Sequence, residues 1–322
     1  MNSSTSNSKT GLIGKAAAAC LAVLILFLFS APYLYQEGWS APQSQWQFNV
    51  IKAQRYVYQD KAAPFVIIGS SLSQRLSSLS GDYYNLALGG GSPITGMKVL
   101  LRGGKFPSTV LVEINMIIKP SDENFLDGLF MPVLYDLRRY VPGLREEYQP
   151  LALLSGKILN IWQTGRLTNA PARPQPAANA TKAAAEAEAA LKRITASRHA
   201  GEAAFKIALA DHQKKQSALW DDRLKKNKNI LYLKEAVDAL SQHGVRVIFY
   251  EMPTDPSLIG LPKTVSIRER MHQEFPDASY WLPQVDANEY ATTDGMHLDG
   301  ESARKYAAFL QSEMKARFPD VK

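Results

Sequence analysis

A serine, an imidazole and a carboxylate stand where acyl chemistry could be done. Ser71 closes the run Gly69-Ser70-Ser71, directly after the apolar stretch Phe65-Val66-Ile67-Ile68. Far along the chain, Asp294-Gly295-Met296-His297 precedes a final amphipathic stretch. A neutral hydroxyl is a poor nucleophile and needs a base. Imidazole titrates near physiological pH and suits that task. A carboxylate three residues before it, on a tight loop, can fix the ring tautomer and stabilise the imidazolium. Taken singly, each piece is commonplace. Gly-Ser-Ser is a frequent turn and helix cap, and Asp294 with His297 suits a plain helix cap.

Two further segments offer hydrogen-bond donors for a developing oxyanion. Asn85 to Ser92 reads NLALGGGS, and a glycine there lets backbone N–H groups approach a bound oxygen. Gly90 is the central candidate, with Gly89 and Gly91 as alternatives in register. Asn115, after the apolar run Thr109 to Ile114, offers a side-chain N–H.

The elements that must position these groups alternate between short apolar runs and helical periodicity, which points to an α/β fold around a parallel sheet. Strands are predicted at Phe65–Ile68, Tyr83–Leu88, Thr109–Ile114 and Val245–Tyr250, with a short last one at Ser279–Leu282. Helices are predicted at Gln45–Tyr58, Ser71–Leu79, Gly96–Leu101, Ile230–Leu240 (stopped by Gly244), Val265–Phe275 and Glu301–Phe318. A long insertion, roughly 117–228, separates the third and fourth strands. Pro171–Ala180 reads as a Pro/Ala-rich linker. Thr181–Leu224, rich in Ala, Glu and Lys, reads as a long helix or helical hairpin: a solvated arm in the plain reading, a lid or docking surface in the functional one.

The chain has 322 residues, 46% hydrophobic and 21% charged, which is globular composition with room for a proper core. Its net charge is +7, but the basic residues are scattered rather than striped with aromatics. That pattern argues against nucleic acid and fits a membrane surface or an anionic envelope polymer. A single cysteine, Cys20, excludes an internal disulfide, and none of the five histidines forms a His-x-x-x-His pair. No metal or cofactor is expected.

Residues 16–35, AAAACLAVLILFLFSAPYLY, carry no charge and are about long enough to cross a bilayer. Lys9 and Lys15 precede them, and no basic residue follows until Lys52. The asymmetry predicts residues 1–15 in the cytoplasm and the remainder outside, beyond a linker over 36–62. Cleavage as a signal peptide fits less well: Ala31 and Ala41 each have a bulky residue two positions earlier, Phe29 and Trp39, and a proline next.

The order of the four chemical segments carries a resemblance. Serine after the first strand, glycine after the second, asparagine after the third and Asp-x-x-His before the last helix resemble the SGNH (GDSL-like) hydrolase and acyltransferase superfamily. The resemblance covers about Phe65 to Phe318, interrupted by the insertion. It departs from the family pattern at Ser70, where the family has Asp, and at Glu113 and Met116, which flank Asn115 in place of Gly and Asp. It implies a three-layer SGNH-like domain over 63–322, with Ser71, Asp294 and His297 catalytic and Ser71, Gly90 and Asn115 forming the oxyanion hole. Together with the N-terminal span, the layout resembles membrane-anchored SGNH-like proteins associated with membrane-bound O-acyltransferases. This implies an acyltransferase at the bacterial inner membrane, its catalytic domain in the periplasm, O-acetylating an exported or cell-envelope polysaccharide. The alternatives implied are an esterase or deacetylase with the same triad and a non-catalytic scaffold.

Overall fold

A computed structural model of the chain describes residues 6–36, 44–76, 79–149, 201–217 and 227–320. The predicted linker at Pro171–Ala180 and the first part of the predicted arm, 181–200, lie outside the described residues. The chain forms two compact units: residues 1–58 with 127–172, and residues 59–126 with 173–322.

The first unit begins with helix α1 (Ser6–Gln36). Its stretch Gly11–Ala31, 21 residues long, is the one helix among the described residues that is long and apolar enough to cross a membrane. At 1.5 Å per residue it spans about 31 Å, the thickness of a bilayer's hydrocarbon core. One apolar helix near the N-terminus fits a membrane anchor or a signal sequence. Helix α2 (Gln45–Tyr58) follows. Two 3-10 turns, Pro142–Leu144 and Glu146–Tyr148, pack in the same unit. Gly143 sits so close to α1 that a Cβ there would lie 2.4 Å from the carbonyl oxygen of Leu28. Arg55 of α2 pairs with the buried Glu147 at 2.7 Å, and Gln54 Oε1 accepts the Glu146 amide at 2.7 Å.

The second unit is built on a four-stranded parallel sheet in the order β2-β1-β3-β4. Strand β1 is Phe65–Ile68, β2 Tyr83–Asn85, β3 Thr109–Glu113 and β4 Arg246–Tyr250. β1 and β3 are buried along their whole length, as expected of parallel strands covered on both faces. The register pairs Ile67 with Leu111 and Leu111 with Ile248. These three share a core with Ala303, Tyr306, Ala307 and Leu310 of the last helix (Gly300–Arg317). The other face receives helix α4 (Pro93–Gly103), where Gly96 lies directly on Ile68.

Some predicted elements shrink. The predicted helix Ser71–Leu79 is one turn, α3 (Ser71–Gln74). β2 stops at Asn85, whose side chain turns away to donate to the carbonyls of Ser73 and Leu76 and to accept the amide of Ala87. The predicted strand at Ser279–Leu282 is a 3-10 turn (Ala278–Tyr280) followed by a single bridge between Phe249 and Trp281.

A Cβ on Gly96 would approach Ile68 Cγ2 to 2.7 Å, and that methyl belongs to a stiff, fully buried side chain. Gly96→Val should therefore lower unfolding stability by about 1–3 kcal/mol. Denaturant titration of the pure protein checks this, and an unchanged midpoint would refute the close packing of α4 on β1.

Candidate active site

Strand order fixes where a ligand can sit. In open parallel sheets ligands bind beyond the carboxyl ends of the strands, where chain order reverses. Here β1 is flanked by β2 on one side and β3 on the other, so the reversal falls between β1 and β3. Ser71 follows β1, and Asn115 lies just beyond β3.

The turn carrying Ser71 is held by Glu113, the last residue of β3. This carboxylate is fully buried and accepts four hydrogen bonds. Oε1 accepts the Ser70 hydroxyl at 2.6 Å. Oε2 accepts the Ser70 amide at 2.9 Å, the Ser73 amide at 3.3 Å and the Ser73 hydroxyl at 2.5 Å. The Tyr250 hydroxyl donates onward to Ser73 Oγ at 2.6 Å. Gly69 is required beneath this network, since a Cβ would meet Glu113 Oε2 and Ser73 Oγ at 2.6 Å. Burial pushes the Glu113 carboxyl above its ordinary value of 4.5, against the pull of its Ser70 and Ser73 donors.

Glu113 leaves Ser71 as the serine available for chemistry. Ser70 is the N-cap of α3 and accepts the Leu72 amide at 3.2 Å. Ser71 Oγ instead lies 2.8 Å from His297 Nε2. His297 Nδ1 lies 2.6 Å from Asp294 Oδ2. The other oxygen, Asp294 Oδ1, accepts the amides of Met296 at 3.0 Å and His297 at 2.7 Å. An ionised carboxylate can only accept, so Nδ1 carries the ring proton and Nε2 is left to accept from Ser71. Burial works to raise the Asp294 carboxyl, but the His297 and Met296 donors outweigh it and hold the group below the usual carboxylate range. The three residues named from the sequence thus form a hydrogen-bonded relay.

The loop bearing His297 is tied in from several sides. Gly295 has φ +91°, a left-handed conformation suited to glycine. Its carbonyl accepts the Asp255 amide at 2.8 Å. Thr292 bridges Leu298 in antiparallel fashion. Arg75, at the end of α3, donates to Thr293 Oγ1 at 3.1 Å and to the Leu298 carbonyl at 2.8 Å. One guanidinium therefore joins the serine turn to the histidine loop. Sequence reasoning missed both Arg75 and the part played by Glu113. A charged residue ending the otherwise apolar run Thr109–Glu113 was the available sign for the second.

The described part of the predicted arm does not stand in solvent throughout. Residues 201–216 are helical. Leu209 packs against the sheet-and-helix core, close enough that a Cβ on Gly295 would touch it at 2.7 Å, and Gln213 donates to Ser257 Oγ at 3.0 Å. This stretch touches the histidine loop at Gly295.

The oxyanion donors are less even than the sequence suggests. The amides of Ser70, Leu72 and Ser73 are all engaged, whereas among the described residues no acceptor takes the Ser71 amide. Gly91 donates its amide to the Leu88 carbonyl at 2.9 Å, which removes it as a donor. Gly90 has φ +68° in open space, with its carbonyl accepting from Lys119. The Asn115 side chain is pinned to one backbone unit: Nδ2 donates to the Met252 carbonyl at 3.0 Å and Oδ1 accepts the Met252 amide at 2.7 Å. A single Nδ2–H remains to it for an oxyanion. No family model, curated protein or solved structure matches this chain.

Glu113 yields a test by folding alone. Glu113→Ala strands two amides and two hydroxyls in the core and should cost at least about 3 kcal/mol. Glu113→Gln keeps an acceptor for the two amides and should stay folded. Because the folded carboxyl binds its proton more tightly than the unfolded one, the contribution of Glu113 to stability is greatest below 4.5 and is lost as pH rises through the raised folded value. Thermal melts across pH should show this decline in the native chain relative to Glu113→Gln. Parallel curves would refute it.

Proposed function

We propose that this protein is a membrane-anchored serine acyltransferase acting outside the cytoplasm, with O-acetylation of an exported or cell-envelope polysaccharide as its reaction. The observation that carries the reading is the relay Ser71–His297–Asp294, two consecutive contacts of 2.8 and 2.6 Å. In this reading Ser71 Oγ attacks the carbonyl of an acyl donor while its proton passes to His297 Nε2. Negative charge collects on the former carbonyl oxygen, facing the amides of Ser71 and Gly90 and the remaining Nδ2–H of Asn115. As the tetrahedral intermediate collapses, the leaving group takes the proton from the imidazolium, and acyl-Ser71 remains. A sugar hydroxyl then attacks the ester, giving its proton to His297, and the acyl group leaves on the sugar as Ser71 recovers its proton. Asp294 stays ionised and steadies the imidazolium in both halves.

The order of the site segments along the sheet supports an SGNH-like three-layer domain. The charge asymmetry around α1 supports a single span with its N-terminus in the cytoplasm and the catalytic unit in the periplasm. The anchor supports a membrane-bound O-acyltransferase as acyl source, since tethering raises the effective concentration of donor and acceptor. A second reading, an esterase using water as acceptor, is favoured by one observation: the side chains of His297 and Asp294 remain 23% and 29% exposed.

Full-length protein, incubated with a small activated acetyl ester, should release alcohol and carry an acetyl group on Ser71 by intact mass and peptide mapping. Ser71→Ala should lower turnover by at least about three orders of magnitude without unfolding the chain. Unchanged turnover would remove Ser71 from the chemistry. Adding glycan acceptors separates the two readings, because only a transferase moves the label to sugar rather than to water.

Asp294→Asn keeps an acceptor for the loop amides but presents an N–H or a weaker acceptor to the ring. It should lower kcat by about 10,000-fold with little change in KM. Near-normal rates would make Asp294 a loop brace only.

A further inference from the structure

Between α5 (Glu123–Leu129) and the turn at Pro142–Leu144, the first unit exposes apolar side chains that a folded surface normally hides. Met131 is 49% exposed, Val133 70%, Leu137 45% and Tyr140 77%. Helix α6 (Leu134–Tyr140) sets Val133, Leu137 and Tyr140 at spacings of four and three, so they share one face. Val133 is the only non-glycine residue with positive φ among those described, at φ 65° and ψ −53°. Pro132 and Leu134 close a γ-turn around it, with a hydrogen bond of 2.7 Å. That conformation is strained for a β-branched residue, and it holds an isopropyl group outward.

The position of this strap on α1 says what would cover it. Gly143 lies against the backbone of Leu28, three residues before Ala31 ends the apolar stretch. At 1.5 Å per residue, Leu28 is about 5 Å inside the outer edge of the hydrocarbon layer. Amphipathic elements that lie in a membrane interface bury their apolar side to about 5–10 Å. The charges agree in part with this placement: Arg138 and Arg139 close α6 and Arg145 follows, while Glu146 and Glu147 turn toward Gln47 and Arg55 of α2. Arg138 and Arg145 brace the strap by donating to the carbonyls of Leu144 and Arg138, which leaves Arg139 as the basic group toward lipid, and exposed Asp136 in the first turn of α6 stands beside the apolar face. Exposed Tyr140 has the ring type that collects at membrane interfaces.

We propose that residues 131–145 dock into the outer headgroup–acyl boundary of the membrane that α1 spans. Met131, Val133, Leu137 and Tyr140 enter the acyl edge, and Arg139 reaches the lipid phosphates. The inference rests on the anchor reading of α1 and is independent of the catalytic one.

Site-directed spin labelling of the full chain in phosphatidylcholine–phosphatidylglycerol vesicles tests it. Single cysteines would be placed by Leu137→Cys, Tyr140→Cys and, as an aqueous control, Glu301→Cys, each in a Cys20→Ser background. The native Cys20 would be labelled separately. Labels at 137 and 140 should collide with oxygen several-fold more than with a water-soluble nickel chelate, and the label at 301 the reverse. If Cys20 reads deep hydrocarbon while 137 and 140 read water, the strap does not dock and the anchor stands. If Cys20 itself reads water, both fall. Labels at 137 and 140 shielded from oxygen and nickel alike would assign the face to a second protein chain and overturn lipid docking.

Discussion

The Glu113 carboxylate and its four donors set the position on which the site depends. A buried acceptor of that kind costs several kcal/mol of desolvation unless it is fully hydrogen-bonded. Ser70 and Ser73 meet the need with both their hydroxyls and both their amides. The turn between β1 and α3 is thereby clamped to the end of β3, across the point where strand order reverses. Ser71, enclosed between two clamped serines, has little freedom left except at its own hydroxyl. Helix α3 is a single turn, so its dipole adds little at Ser71. Placement here comes from a side chain on the neighbouring strand rather than from a long helix behind Ser71.

His297 is held by different means. Its loop carries few apolar side chains of its own, and its shape is set by backbone contacts. One Asp294 oxygen shapes the turn through the Met296 and His297 amides, and the other receives the ring. The same carboxylate therefore fixes both where the imidazole is and which tautomer it adopts. Arg75 connects this loop to the serine turn, so a shift of one half of the relay strains the other. Met296 and Leu298 on either side enter the core with Leu310 and Met314, which seats the loop on the last helix.

Much of this is legible in the residue order, and the losses have physical causes. β1, β3 and β4 read clearly because fully covered parallel strands are near-continuous apolar runs. β2 reads too long because NLAL looks equally strand-like, while the Asn85 side chain competes with the ladder for backbone partners. Ser279–Leu282 has the composition of a strand, yet the Asp277 cap turns it into a 3-10 bend before one bridge can form. Ser71, Asp294 and His297 are visible because they sit at the ends of legible elements. Arg75 is not, since a basic residue after a short helix has no pattern that reveals a partner more than two hundred positions away. The Ala-rich composition near 201–216 suits a solvated helix, and only packing of Leu209 on the histidine loop shows otherwise.

An acyl-serine at a partly exposed site faces two acceptors, and water is always the more abundant. Under the proposed reading, sequestration alone does not decide the outcome, because the ring and carboxylate of the relay keep access to solvent. Transfer then depends on how often a sugar hydroxyl or a fresh acyl donor meets the site. A tether converts that encounter from a bimolecular event to a local one and raises the effective concentration toward the millimolar range. A second foothold in the lipid surface, beside the span, would narrow the orientations that the anchored unit can take. In that reading anchoring and chemistry are linked through rate competition. The more open Ser71, His297 and Asp294 are to water, the more a balance between ester hydrolysis and ester transfer would be set by where a membrane holds the chain.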